Sequence, residues 1–350
     1  MLQKFLVLSV LVLGLAIPVS LKQATAATSV QGPFQLSTSA FNFFYAQGGG
    51  KPTYLGGTFT NISNTTVNVG VSMANQPAWI NTSFSGTESP LTPNTPSGLG
   101  IGVLVDGMAV GTYSTAIQLT GNFAGTPIQI PVTLTIAPAG TPLPAGHPHP
   151  EDTHVSTSDG TVWRIVFGMR VPYTSAGAFL SYGYNTWDKV VPANSADLAL
   201  PASTDSYPSE TSYIPPRDGS LINDNGTIYI VSDWHRRGFT SAQVFLGLGY
   251  SFSNAIPGDT SFLTTYTPIS SSRREHAPGT VVNDNGTLCF LQSPFRAEDK
   301  ISGRQCFTSM ADFYGWGFKL NEVIPANSYD TKLPMRAALY PRQPGNGVNP

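Results

Sequence analysis

Charge is scarce in this chain. Only 11% of its 350 residues are Asp, Glu, Lys or Arg, and the net charge is −2. No basic cluster is larger than Arg273-Arg274, so the electrostatic footprint of a nucleic-acid binder is missing and no nucleic-acid partner is expected. Long apolar runs are confined to the first residues, and no later stretch is long enough to span a bilayer. Cysteine is limited to Cys289 and Cys306, far from the N-terminus, so no cysteine follows the leading segment to accept a lipid. Gly-x-Ser-x-Gly, His-Glu-x-x-His and a catalytic Cys-His spacing are all lacking, which argues against a hydrolase.

Glycine and proline, in contrast, are abundant. With 35 Gly, 29 Pro and 41% hydrophobic residues, the chain has a turn-rich, β-leaning composition with ample material for packed cores. Lys4, the apolar run from Phe5 to Pro18 and then Ala24-Thr25-Ala26 read as an export signal over residues 1–26, cleaved before Ala27. The expected location is extracytoplasmic, either secreted or associated with the cell envelope.

Residues 28–137 carry short alternating strands separated by Gly, Pro and Asn clusters, the pattern of a β-sandwich. Candidates include Phe41-Asn42-Phe43-Phe44-Tyr45, Val67-Asn68-Val69-Gly70-Val71, Ala78-Trp79-Ile80 and Ile128 to Leu134. Trp79-Ile80 after Pro77, Gly111-Thr112-Tyr113 and the closing run Ile130 to Ile136 resemble a BACON domain, an immunoglobulin-like module common in exported bacterial proteins. That resemblance implies either a glycan binder or a spacer, and Trp79 within a strand is read as core. Three sequons, beginning at Asn61, Asn64 and Asn81, are read as turn residues.

Residues 138–153 form a Pro-rich link, stiff and extended. His147-Pro148-His149-Pro150-Glu151-Asp152-Thr153-His154 gathers three of the five histidines with two acids. A surface linker supplies no rigid closed shell, so no metal and no cofactor is expected.

Residues 154–350 are organised by a phrase that recurs. Asn223-Asp224-Asn225-Gly226-Thr227 returns as Asn283-Asp284-Asn285-Gly286-Thr287, and Ser158-Asp159-Gly160-Thr161 is a shorter form. A period of roughly sixty residues marks a tandem array, here with units at about 154–201, 219–263 and 279–334 and a C-terminal tail. Each turn phrase leads into strand-like residues, with Arg170-Val171, Arg236-Arg237 and Arg304-Gln305 on the return. A helix follows, capped at Thr174-Ser175, Thr240-Ser241 or Thr308-Ser309 and closed by Gly183, Gly249 or Gly317, each expected to be left-handed. Its apolar face is Ala176, Phe179 and Leu180, then Ala242, Phe245 and Leu246, then Met310, Phe313 and Tyr314. Val190 to Ser195, Ala255 to Thr260 and Val323 to Ser328 supply a third anchor. The expected class is mainly β with α+β repeats: an Ig-like sandwich followed by three small hairpin-helix units. The triple unit is similar to short repeats in uncharacterised exported and envelope bacterial proteins, for which no catalytic role is known.

Asn-Asp-Asn-Gly resembles the opening of a calcium loop, but no closing glutamate follows, so a hairpin turn is the reading. Acid or base candidates are Asp224, Asp284, Glu275-His276, Asp233 with His235, and Asp312, yet they stand in loops or repeated turns, and no enzyme is expected. Binding candidates are the aromatics Trp163, Trp187, Tyr229, Trp234 and Trp316, since flat rings stack on sugar faces. Trp234, placed at a hairpin tip between Asp233 and His235, is expected to be the most exposed. The expected partner is envelope polysaccharide, with a surface protein as the alternative ligand and a structural spacer as the competing role. The two cysteines both fall in the third unit, which carries extra residues at about 293–303. Alignment with the second unit puts Cys289 at the position of Tyr229 and Cys306 at that of Gly238. A hairpin turning at Ser232 to His235 makes those positions face each other, so a disulfide is expected.

Overall fold

The computed structural model describes residues 28–82, 88–203, 213–232, 234–272, 275–292 and 303–339. The expected export signal, Asp233 and all but the last residue of the 293–303 insertion lie outside the described residues.

The first ten strands are β1 (Ser29–Gln31), β2 (Phe34–Leu36), β3 (Phe41–Ala46), β4 (Leu55–Asn61), β5 (Val67–Met73), β6 (Ile80–Thr82), β7 (Glu88–Leu91), β8 (Pro96–Val103), β9 (Gly111–Gly121) and β10 (Ile128–Ala137). They form two five-stranded sheets, β1-β2-β4-β8-β6 and β3-β10-β9-β5-β7, an Ig-like β-sandwich. Alternation makes the core: in β10, Ile128, Ile130, Val132, Leu134 and Ile136 are buried while Gln129 and Pro131 face water. Phe34 anchors the centre, edge-on to Phe59 at 5.5 Å and to Phe123 at 5.1 Å. Trp79 does not lie in a strand. It occupies the turn closed by Ile80 N donating to Pro77 O, and its half-buried ring packs on the core 6.3 Å from Tyr113.

The Pro-rich link is not an exposed rod throughout. Its second half is clamped between the sandwich and the next sheet, because its polar groups hydrogen-bond to both sides. Glu151 N donates to Lys51 O, the Glu151 carboxylate accepts from the Thr53 hydroxyl and from Phe167 N, and Gly168 N donates to Thr53 Oγ1. Burial pushes the Glu151 carboxyl above its ordinary value despite these bonds.

Three small sheets follow. The first holds β11 (His154–Ser156), β12 (Val162–Val166), β13 (Met169–Pro172) and β14 (Val191–Pro192), with helices α1 (Ala176–Ser181) and α2 (Ser195–Ala199). The second holds β15 (Leu221–Asp224), β16 (Thr227–Ser232), β17 (His235–Gly238), β18 (Ile256–Pro257) and β19 (Thr264–Thr265), with α3 (Ala242–Gly247). The third holds β20 (Val281–Asp284), β21 (Thr287–Gln292), β22 (Gly303–Cys306) and β23 (Ile324–Pro325), with α4 (Met310–Gly315). In each, three antiparallel strands are completed by a short strand parallel to the first, through the pairs Val155–Val191, Ile222–Ile256 and Val282–Ile324. Ser175, Ser241 and Ser309 cap α1, α3 and α4 by accepting a backbone N–H three residues on. A 3-10 turn follows each of these helices, at Trp187–Lys189, Phe252–Asn254 and Leu320–Glu322.

In the third hairpin Cys289 faces Cys306, as Tyr229 faces Gly238 in the second, and the cysteine sulfurs are bonded. Both cysteines belong to a core shared with Leu221, Ile230 and Phe245 of the second unit.

Three expectations about the units need correction. Only one apolar residue per capped helix, Phe179, Phe245 or Phe313, is fully covered in all three. Leu246, Met310 and Tyr314 are 54%, 43% and 48% exposed, and Ala176 and Ala242 are exposed as well, whereas Leu180 of α1 is half-buried. Gly249 and Gly317 are left-handed but Gly183 is not; its role is close approach, with its N–H donating to Gly317 O at 2.7 Å. The units also do not form a simple row: the first touches the second where Gly177 meets Pro257, and it reaches the third through Gly183 and through Lys319 Nζ on Leu180 O. Among the described residues no helix is long and apolar enough to cross a membrane.

Candidate ligand-binding surface

The recurrent turn phrase is a structural device. Asn225 and Gly226 have φ of 50° and 90°, Asn285 and Gly286 have 50° and 94°, the two-residue hairpin geometry that favours Asn-Gly. Asn223 Oδ1 accepts from Gly226 N at 2.8 Å, and Asn283 Oδ1 from Gly286 N at 2.7 Å. The intervening acids reach across their hairpins, Asp224 to Arg236 at 3.2 Å and Asp284 to Arg304. Asp224 also accepts the Thr260 hydroxyl and N–H, and these bonds hold its carboxyl below the usual range.

The other candidates for proton chemistry among the described residues are likewise engaged. Asp312 takes the Thr308 hydroxyl, which lowers its pKa, and His235 stacks on Tyr266 at 3.7 Å. His276 lies between Asp330, 2.6 Å from Nδ1, and Leu248 O, 2.7 Å from Nε2. His149 makes the same side-chain pair with Asp197 at 2.7 Å. The cluster from His147 to His154 therefore disperses: His149 to Asp197, Glu151 to Thr53, Asp152 to Arg164, and His154 to Tyr173. Burial drives the His154 pKa down to about 4, so this ring is a neutral member of a buried network with Tyr173 and Asn185.

The aromatic candidates separate clearly. Trp163 is half-buried, donates Nε1–H to Thr157 Oγ1 at 3.0 Å and carries the Arg170 guanidinium 4.9 Å above its ring. Tyr229 is the equivalent, under Arg236 at 4.7 Å. Trp316 is half-buried against the cluster of Phe290, Phe313 and Phe318. Trp234 is not a freely exposed tip residue. Its φ of 62° turns the chain so that the half-buried ring packs on Ile222, Val231 and Leu263. Trp187 is the exposed one, at 49%. Its ring rests 4.5 Å from Phe179 at 31°, so a rigid aromatic backs it and part of its surface meets water.

Trp187 has two counterparts. Each 3-10 turn begins with an exposed apolar residue: Trp187, then Phe252 at 50%, then Leu320 at 56%. Phe252 rests on Phe245 as Trp187 rests on Phe179, at 4.6 Å and 32°. In the third unit Leu320 walls an open groove of about 360 Å³, with Leu288, Val323, Ile324 and Pro325 as its apolar surface and Asn283, Asn285 and Gly286 along the rim. The strand pairs Asn223–Pro257 and Ser156–Pro192 correspond to Asn283–Pro325 in the other units. Apolar surface flanked by amides can hold a sugar ring by stacking while bonding its hydroxyls.

Phe252, Leu320 and the groove-lining asparagines were not legible as contact residues. A signal existed, since each exposed residue stands three or four positions beyond Gly183, Gly249 or Gly317 and shortly before the Val/Ile-Pro anchor.

No protein-family model and no curated protein sequence matches the chain. Solved structures are similar only locally and remotely. The PapD-like domain 7 of human CEP192 aligns at 12% identity over 37% of this chain and 99% of that one, with a TM-score of 0.25. The periplasmic chaperone SfaE aligns at 14% identity over 37% of this chain and 69% of that one, with a TM-score of 0.21. The VesB protease of Vibrio cholerae aligns at 14% identity over 30% of this chain and only 32% of its own length, with a TM-score of 0.23.

Proposed function

We propose that the chain is an exported, non-catalytic recognition protein of the cell envelope. In this reading a BACON-like sandwich carries three tandem hairpin-helix repeats, and the repeats bind glycan polymer. The observation that supports it best is the threefold recurrence of one exposed apolar side chain, Trp187, Phe252 and Leu320, at the start of the 3-10 turn that follows each capped helix. A packed core does not require apolar side chains half in water at three equivalent positions, whereas a repetitive ligand gains avidity from contacting all of them. The disulfide agrees with an oxidising compartment. The non-catalytic part rests on the acids and histidines that are tied into turns, caps and ion pairs.

Affinity electrophoresis of the full chain through gels containing envelope polysaccharide tests this reading. One stacked ring contributes about 1 kcal/mol, so Trp187→Ala should weaken retention several-fold and the triple variant with Phe252→Ala and Leu320→Ala should abolish it. Retention of the triple variant at the wild-type level would defeat the proposal.

A further inference from the structure

The 3-10 turns of the second and third units are tied together. Asn254 Nδ2 donates to Asn321 O at 2.6 Å, and Asn321 Nδ2 donates to Asn254 Oδ1 at 2.8 Å. This reciprocal pair lays Phe252–Asn254 alongside Leu320–Glu322, so the exposed Phe252 and Leu320 belong to one surface with an amide bridge between them. Leu320 then leads into the groove rimmed by Asn283 and Asn285. Among the described residues each bridging amide keeps a second N–H, and Asn321 keeps its Oδ1, for a ligand above the seam.

Among the described residues, the charged side chains around this surface are already engaged. Glu322 accepts from Arg217 at 2.6 Å and from Lys319 N at 3.1 Å, Arg217 also stacks on Phe318 at 3.9 Å, Lys319 Nζ holds Leu180 O at 3.3 Å, and Arg304 is bound to Asp284. An acidic polymer would have to take a cation from an existing acceptor, and it would approach Asp284 and Glu322. Neutral hydroxyl-rich rings meet amides and apolar walls among the described residues.

We infer that the ligand is an uncharged polysaccharide whose chain crosses the seam between the second and third units, from Phe252 over the Asn254–Asn321 bridge into the Leu320 groove. This rests on the glycan-binding reading and narrows it to a class and a path. The test uses the full chain in gels containing dextran, laminarin or galactomannan as neutral probes, and alginate or hyaluronan as acidic ones, with thermal melting as a check on folding. At least one neutral probe should retard the wild type. Phe252→Ala and Leu320→Ala should each lower that retardation about fivefold, with their double variant losing less than the product because both contact one strand of polymer. Retardation by acidic probes alone, or a loss in Leu320→Ala with none in Phe252→Ala, overturns the seam. So does a loss confined to Trp187→Ala, although glycan binding would then stand. No retardation by any probe overturns both readings together.

Discussion

Replacing Cys289 and Cys306 by alanine removes a cross-link that spans 17 residues of chain. On the chain-entropy account, a loop of that length constrains the unfolded state by about 3 kcal/mol at 25 °C. Alanine is the right replacement because Cys289 and Cys306 are 1% and 9% exposed, and a serine would add the cost of burying hydroxyls. The cysteines share a core with Leu221, Ile230 and Phe245, so the loss should not stay within the third hairpin. Urea unfolding followed by tryptophan fluorescence should show the units melting in one transition, with the variant about 3 kcal/mol less stable. By thermal melting this corresponds to a fall of roughly 6 to 12 °C for a cooperative block of this size. A loss below about 1 kcal/mol, or a separate early transition of the third unit, would refute the shared-core argument.

Arg217→Ala leaves Glu322 without its partner at a seam where both side chains are largely covered, and should cost about 3 kcal/mol or more in chemical denaturation. Gly177→Val would place a side chain 2.5 Å from Pro257 O, so differential scanning calorimetry should show a marked loss of stability as the first and second units are forced apart. His154 titrates near 4 when folded against 6.5 when free. Since its folded pKa is depressed, the stability it confers is present above 6.5 and is lost as pH falls towards 4, by up to ~3 kcal/mol. His154→Leu, which matches Leu221 in the second unit, should flatten the stability profile between those limits.

What the sequence reveals depends on how local the determinant is. The cysteine pairing was legible because a two-residue turn and a side-chain period of two fix which residues face each other. The helix caps were legible because Ser175, Ser241 and Ser309 act on their own first turns. The covering of Trp234 is not legible locally, because a hairpin tip implies exposure, whereas its positive φ returns the half-buried ring to the cluster of Ile222, Val231 and Leu263. The exposure of Phe252 and Leu320 was hidden for the opposite reason. Apolar spacing marks a face as buriable, but which face is left open depends on how the units meet, and contacts such as Gly183 with Gly317 join segments over a hundred residues apart. The link before His154 follows the same rule: its prolines predict extension, and its clamping by Thr53 and Lys51 comes from the distant loop between β3 and β4.

Hydrogen exchange of the full chain with and without a retarding neutral polysaccharide tests the central claim most directly. Binding through the exposed turns should slow exchange at Trp187–Lys189, Phe252–Asn254 and Leu320–Glu322 and at the neighbouring hairpin tips around Asn225 and Asn285, while the sandwich is unaffected. Protection confined to the sandwich, or centred on the hairpin of Trp234 with the three turns unchanged, would contradict it.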